Sequence, residues 1–389
     1  AIARYWRDGY GKNLTTGAEH YNKDVVAGRI SVEFEPSEGL FFRVAADKTI
    51  DKSNPRHGYR MLGNGALAAY APLPDVYDTR AGIGDDNKVK TQGISLTGEI
   101  ELSDDLTFKT ISAYRDGHTD TVIDFDNTPD PALDVPAFYD DRQYTQEFQL
   151  LYEGEKLQGV FGLFYLDARA TGAFDTVVGA LNTTTLTSGT VKTKSYAAFA
   201  DFSYDLTEQF TVSAGLRWTK DDKTGTVFRR NYTGLRSPLF GNAAAVPGLV
   251  RTNYTNDRSF EQFTPRVSVS YKPIEDINLY ASYGKGFKSG GFDMRGDAVF
   301  TPTTVNGYKP ETVDAFEAGM KGAFIDRTLF VNLAGFRSTY KDQQVTIQVP
   351  NVAGGIASFV DNAGKANIYG LELEMRLVPS RNFSVTAAF

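Results

Sequence analysis

Four groups of residues in this 389-residue chain have types or spacings that could do chemistry. Glu372 and Glu374 stand two apart, a carboxylate pair of the type used in acid/base work. Asp124, Asp126, Asn127, Asp130 and Asp134 gather hard oxygens of the kind that hold calcium. Gly284-Lys-Gly-Phe-Lys-Ser-Gly-Gly291 has the glycine content of a phosphate-cradling loop. Finally, Tyr70, Tyr77, Tyr139, Tyr232, Tyr254, Phe292, Phe300 and Tyr308 lie in loop-like sequence near Arg229, Arg230, Arg251 and Arg295. Aromatic faces plus guanidinium groups suit an anionic, planar metal chelate or a glycan.

The first three groups fit plainer roles. Paired catalytic carboxylates flank a substrate from opposite sides, whereas Glu372 and Glu374 are neighbours on one strand face, where a salt-bridge network with Arg376, Glu317 and Lys321 is expected instead. The acidic run lacks the glycine of an EF-hand loop, so its carboxylates are expected to be solvated. The glycine run lacks Walker spacing and leads into Gly, Pro and Thr, which is how a strand bends away at its end. Cysteine is absent and the three histidines, His20, His57 and His118, are dispersed, which removes thiolate metal sites, disulfides and a Ser-His-Asp arrangement. No catalytic residue, resident metal or cofactor is expected, and a net charge of -7 argues against a nucleic-acid partner.

The elements that must position the remaining aromatic and Arg residues are strands. Mean hydropathy is only -0.32, and no apolar run of about 18 residues could form a spanning helix. A membrane strand needs only alternating apolar residues, so neither fact excludes a barrel. Short turns at 36–39, 103–105, 153–156, 205–208, 272–276, 324–327 and 379–382 alternate with stretches rich in Gly, Pro, Asn, Asp and Thr at 51–89, 120–140, 171–190, 221–259, 289–311 and 342–364. Short turns at one end and long loops at the other are the habit of outer-membrane barrels.

Parity gives each arm two faces. Ile94, Leu96, Ile100 and Leu102 oppose Glu99 and Glu101; Phe210, Val212, Ala214, Leu216 and Trp218 oppose Arg217. Phe263, Val267, Val269 and Tyr271 oppose Arg266; Tyr369, Leu371, Leu373, Met375 and Leu377 oppose Glu372, Glu374 and Arg376. Lipid on one side and a wet lumen on the other match this pattern, with Arg217, Arg266, Glu317, Lys321, Glu372, Glu374 and Arg376 expected to face the lumen, although a half-buried soluble sheet gives the same local alternation. Four arms also carry aromatic pairs at a constant spacing of eight: Tyr144 and Tyr152, Tyr196 and Tyr204, Phe210 and Trp218, Phe263 and Tyr271. At about 3.3 Å per residue and a tilt near 40°, that spacing covers roughly 20 Å of membrane normal, close to the apolar band between aromatic girdles.

Several segments now identify a family. Leu279-Tyr-Ala-Ser-Tyr-Gly-Lys-Gly-Phe-Lys-Ser-Gly-Gly-Phe292 resembles a middle-barrel strand and loop of the TonB-dependent outer-membrane receptors. Tyr308-Lys-Pro-Glu-Thr-Val-Asp-Ala-Phe-Glu-Ala-Gly-Met-Lys-Gly322 is similar to their Pro-Glu and Glu-x-Gly-x-Lys pattern, Asn367-Ile-Tyr-Gly-Leu-Glu-Leu-Glu374 to their Gly-x-Glu-x-Glu strand, and Arg7-Asp-Gly-Tyr-Gly-Lys-Asn13 to an early strand end. The resemblance implies an all-β fold, a transmembrane antiparallel barrel of 22 strands, of which residues 1–389 form a partial barrel domain with about fourteen or fifteen strands.

The family's plug domain and TonB-engaging segment have no counterpart in these residues, and both Ala1 and Phe389 are expected to be cuts in a longer chain, leaving a fragment unable to insert alone. The resemblance further implies uptake of a scarce ligand across the outer membrane, above all a ferric siderophore, with carbohydrate, haem and cobalamin as alternatives and a passive porin as the rival. The implied partners are the TonB-ExbB-ExbD complex, the extracellular ligand and the lipid bilayer. Tyr232, Tyr254, Phe292, Arg295 and Tyr308 are the loop residues expected to meet the ligand.

Overall fold

A computed structural model describes residues 1–62, 69–350 and 356–389. Its strands are β1 (Ile2–Arg7), β2 (Gly11–Lys12), β3 (Glu19–His20), β4 (Lys23–Ser37), β5 (Leu40–Asp51), β6 (Lys88–Ser103), β7 (Leu106–Asp124), β8 (Asp134–Glu153), β9 (Leu157–Val178) and β10 (Thr183–Thr207). They continue as β11 (Phe210–Thr233), β12 (Val246–Ile274), β13 (Ile277–Lys288), β14 (Glu311–Phe324), β15 (Leu329–Pro350), β16 (Ile356–Ser380) and β17 (Phe383–Ala388). Apart from the small β2–β3 hairpin, they form one sheet of 15 strands in which each strand pairs with the next, from β1 and β4 through to β17. All these pairings are antiparallel.

All seven short turns join consecutive strands at one end of this meander, and the longer connections lie at the other. The long connections are shorter than their composition suggests. Residues 120–140, 171–190 and 221–259 are largely strand, so only 125–133, 179–182 and 234–245 remain as loop. The physical reason is that β10 and β12 run for 25 and 29 residues, whereas crossing the hydrocarbon takes about 9–11. Beyond the bilayer both faces of a strand can be polar, so Thr-, Asn- and Asp-rich sequence continues the ladder without the alternation that marks a membrane strand. Parts of two expected connections, 63–68 and 351–355, lie outside the described residues.

Register aligns the aromatic residues across strands. Tyr114 faces Tyr144, Tyr165 faces Tyr196, and Trp218 faces Phe263, which builds one row nearer the loop end. Phe210 faces Tyr271 in the row nearer the turns. Ring centroids are 5.2 Å apart for Tyr165 and Tyr196 and 6.4 Å for Phe210 and Tyr271. Between the rows, apolar side chains point away from the protein: Leu216 is 50% exposed and Leu163 47%. A wall of this kind is stable only where lipid covers it.

The inner face of the same strands is polar. Arg266 forks onto Asp201 with Nη2–Oδ1 at 2.6 Å and Nε–Oδ2 at 3.0 Å. Arg217 lies over the rings of Phe164 and Phe199 at 5.5 and 5.3 Å. The well-packed interior is instead at the loop end, where Val177, Val227, Phe260 and Phe292 are buried.

Candidate ligand-binding site

The connection from β13 to β14, residues 289–310, folds back over the inner face of β11 and β12. Gly291 and Tyr308 exchange backbone hydrogen bonds of 3.1 and 2.8 Å, which closes the connection into a narrow-necked loop. Side chains of the wall then hold its backbone. Lys223 Nζ donates to the Gly290 carbonyl at 2.8 Å, Thr252 Oγ1 to that of Gly296 at 2.8 Å, Asn256 Nδ2 to that of Val305 at 2.9 Å, and Arg229 Nη1 to that of Arg295 at 2.6 Å. Asp297, 3% exposed, receives Arg251 Nε at 2.6 Å and Nη2 as well.

Two glycines make this approach possible. A Cβ on Gly225 would sit 2.4 Å from the ring of Phe292, and one on Gly307, at φ 67°, would meet the Gly291 carbonyl oxygen at 2.3 Å. Within the loop Gly290 packs as closely: a Cβ there would lie 2.4 Å from the Tyr308 carbonyl oxygen.

Asp293 organises the exposed side of the loop. Its carboxylate accepts from Arg295 N (2.9 Å), Nε (3.1 Å) and Nη2 (2.9 Å), and from the backbone N–H of Val360 on β16 (2.7 Å). Arg295 is thereby fixed yet remains 39% exposed, with Nη2 also reaching Thr346 Oγ1 at 3.4 Å. Around it stand phenols. Tyr254 lies 6.2 Å from Phe292, and its buried hydroxyl has no hydrogen-bond partner. Burial, then the Asp293 charge, pushes the Tyr254 phenol up to about 12 and raises that of Tyr308; burial likewise raises Tyr139, partly offset by Arg295. These phenols stay protonated and can donate. Next to them is a cavity of about 210 Å³ lined by Arg258, Asp293, Thr304, Tyr308, Lys309 and Asp361. Pockets that enclose a drug-sized ligand run to about 300–1,000 Å³, so this one takes an arm of a larger molecule.

The structure thus brings together four of the five sequence-derived residues: Tyr254, Phe292, Arg295 and Tyr308. Tyr232 stands apart. It belongs to β11, opposite Thr184 and Pro247, and its parity turns it to the outward face, away from Phe292. Tyr254 is likewise a strand residue and not a loop residue, but on the inner face. Sequence reasoning missed Asp293, which looked like any acidic loop residue because its partners, Arg295 and Val360, are known only once the loop has folded.

Register puts Arg217, Arg266, Glu317, Lys321, Glu372, Glu374 and Arg376 on one face of the sheet. The expected salt-bridge network among the last five does not form among the described residues. Glu317 instead accepts the Tyr280 hydroxyl at 2.7 Å, and Lys321 sits 5.8 Å from the same ring. Glu372, Glu374 and Arg376 are exposed, and side chains in open water gain little from pairing. The acidic run behaves differently from expectation too: Asp124, Asp126 and Asp134 are buried with carboxylate oxygens within 4.8 Å of one another, while Asp130 accepts the Tyr70 hydroxyl at 2.8 Å.

An unbroken antiparallel meander, apolar outside between aromatic rows, polar inside and looped at one end, defines the class of outer-membrane-type β-barrel walls. Within that class the chain belongs to the TonB dependent receptor-like, beta-barrel family, whose sequence profile matches residues 36–389. It is 25% identical over 358 residues to the pesticin receptor of Yersinia enterocolitica, covering 90% of this chain and 46% of that protein. Over 168 residues it is 30% identical to the probable TonB-dependent receptor BfrD of Bordetella pertussis, 43% of this chain and 19% of that one. Among solved structures, the ferric yersiniabactin uptake receptor FyuA of Yersinia pestis superimposes with a TM-score of 0.72 at 19% identity, covering 100% of this chain and 54% of that one. The siderophore receptor PiuA of Acinetobacter baumannii gives 0.65 at 16% identity, with 100% and 58% covered. The chain spans about half the length of the relatives it matches along most of its length.

Proposed function

We propose that this chain is barrel wall from an outer-membrane import receptor that captures a ferric siderophore and draws on TonB-ExbB-ExbD for the energy of transport, with no catalytic step of its own. The observation that carries the reading is the donor set at the loop end. The protonated phenols of Tyr139 and Tyr308 and the pinned, part-exposed Arg295 offer hydrogen-bond donors and aromatic faces beside the cavity that Arg258 and Lys309 also line. A ferric chelate with phenolate, catecholate or carboxylate arms is anionic and partly planar, and matches such a set through charge-assisted hydrogen bonds and stacking. The names of the relatives, a pesticin receptor and a ferric yersiniabactin uptake receptor, agree with that class of cargo.

The test is titration of the full-length protein in detergent with ferric and metal-free forms of phenolate, catecholate and hydroxamate siderophores, followed by tryptophan fluorescence. Saturable binding of one ferric form is expected, and Arg295→Ala should weaken it about tenfold or more. Uptake of the same radioiron complex into cells should stop when TonB is deleted. Binding of no chelate, or TonB-independent entry of small solutes, would replace this reading with the passive porin.

A further inference from the structure

We propose that the tip of the β7–β8 hairpin is a calcium site, with the carboxylates of Asp124, Asp126 and Asp134 as its protein ligands. Asp124 ends β7 and Asp134 begins β8, and register sets the two directly opposite each other as the pair that closes the ladder. Asp126 turns in from the tip. The three residues are 3%, 9% and 6% exposed, and one carboxylate oxygen from each lies within 4.8 Å of the others.

Buried carboxylates are commonly held by donors of the protein itself, and two of the three are. Asp124 accepts from the backbone N–H of Gly82 at 2.9 Å and of Asn127 at 2.5 Å, and Asp126 from those of Thr128 at 3.0 Å and Leu133 at 2.6 Å. Asp134 is the exception. Its Oδ1 is sealed from solvent and has no hydrogen-bond partner. Arg236 offsets part of its charge, but no ion pair forms between them. Like charges directly opposite on neighbouring strands destabilise a sheet, and a buried carboxylate is costly to ionise without a partner. A cation seated among the three oxygens removes the repulsion and supplies the partner that Asp134 lacks.

The donors select the cation. All three are hard oxygens with no imidazole or thiolate among them, a set that suits calcium and magnesium and not zinc. Calcium holds oxygens at about 2.3–2.6 Å, so its ligands stand up to roughly 4.6–5.2 Å apart across the ion, whereas magnesium's rigid octahedron spans only about 4.0–4.2 Å. The four backbone donors orient Asp124 and Asp126 ahead of the ion, as outer hydrogen bonds do at metal centres. Gly82 lies in the connection before β6, and the Pro131 carbonyl accepts from Gly179 N–H, just past β9, at 2.9 Å. An ion at this point therefore ties the hairpin tip to both neighbouring connections.

The test is hydrogen exchange over residues 125–133 in the full-length protein in dodecyl maltoside, stripped with EGTA and titrated with calcium chloride. Without the ion the cluster can take up protons instead, so the comparison is made at about pH 8, where carboxyls raised to about 6 and 7 are ionised. Protection should rise with a midpoint of about 10⁻⁴–10⁻³ M calcium, and reach about tenfold at ten times the midpoint. Asp134→Asn should need at least about tenfold more calcium. Because it breaks no hydrogen bond of Oδ1, its protection in EGTA should be no lower than that of the wild type, which separates loss of a ligand from loss of the fold. Asp130→Asn, which removes an exposed carboxylate outside the cluster, should respond to calcium as the wild type does. Wild-type protection that ignores calcium up to about 10 mM, an equal response to magnesium, or an Asp134→Asn midpoint unchanged from its parent overturns the site.

Discussion

The wall between the aromatic rows and the loop end beyond them are built on opposite terms. In the wall, large apolar side chains such as Leu216 and Phe263 are half exposed, and the backbone ladder does the cohesive work while lipid completes the packing. At the loop end, polar groups go inside: Asp297, Thr252 and Asp175 are 3%, 2% and 0% exposed. One region depends on its solvent and the other on its own side chains. The lesson is that burial in this protein marks the folded loop end, and exposure marks the lipid-facing wall.

The largest test of that contrast lies at the bilayer midplane. Ala214 is midway between Phe210 and Trp218 on the outward face, and Ser213, its neighbour, faces inward, where its hydroxyl pairs with that of Ser203 at 2.7 Å. Ala214→Arg should cost about 2–4 kcal/mol, while Ser213→Arg, next to a polar lumen, should cost under about 1 kcal/mol. Urea unfolding of the full-length protein in phosphatidylcholine vesicles measures both. Similar losses at the two positions would erase the distinction between the faces.

The same contrast explains what could be read in advance. In the wall each residue's role follows from its own parity and its distance from a turn, so Trp218, Phe263 and Arg266 could be placed from sequence alone, and the sheet of 15 strands follows from the turns. At the loop end roles depend on partners distant in the chain. Asp293 matters through Val360, 67 residues away, and no local pattern encodes that. Tyr232 misled for a related reason: Asn, Thr and Gly around it signal a loop, yet β11 runs on to Thr233, and one step of parity separates the outward face from the site.

A substitution at Gly225 would sharpen the claim that the loop end is packed from within. Gly225→Val would drive its side chain into Phe292, whose ring lies 2.4 Å from the Cβ position. The expected cost is about 1–3 kcal/mol, felt as loss of amide protection over residues 289–310 and weaker ligand binding, with the wall's unfolding unchanged. If protection fell equally in β14 and β15, the loop and wall would be one cooperative unit and the comparison would fail.

The smallest expected effect concerns the hairpin tip between β7 and β8. Burial, and then the charge of Asp126, raises Asp124 to about 6; burial, and then Asp124 and Asp126, raises Asp134 to about 7, with Arg236 acting the other way. Carboxyls raised on folding stabilise the hairpin in their neutral form. That contribution is complete below about pH 4, and is lost as pH rises through 6 to 7. Amide protection at residues 125–133 should therefore fall between pH 5 and pH 8, after correction for intrinsic exchange. Asp134 accepts no hydrogen bond at its buried Oδ1, so Asp134→Asn removes a charge without breaking a contact and should leave protection higher and flatter across that range. Protection that rises with pH in the wild type, or an Asp134→Asn hairpin as pH-sensitive as its parent, would show that these carboxylates are ionised and held by something other than burial.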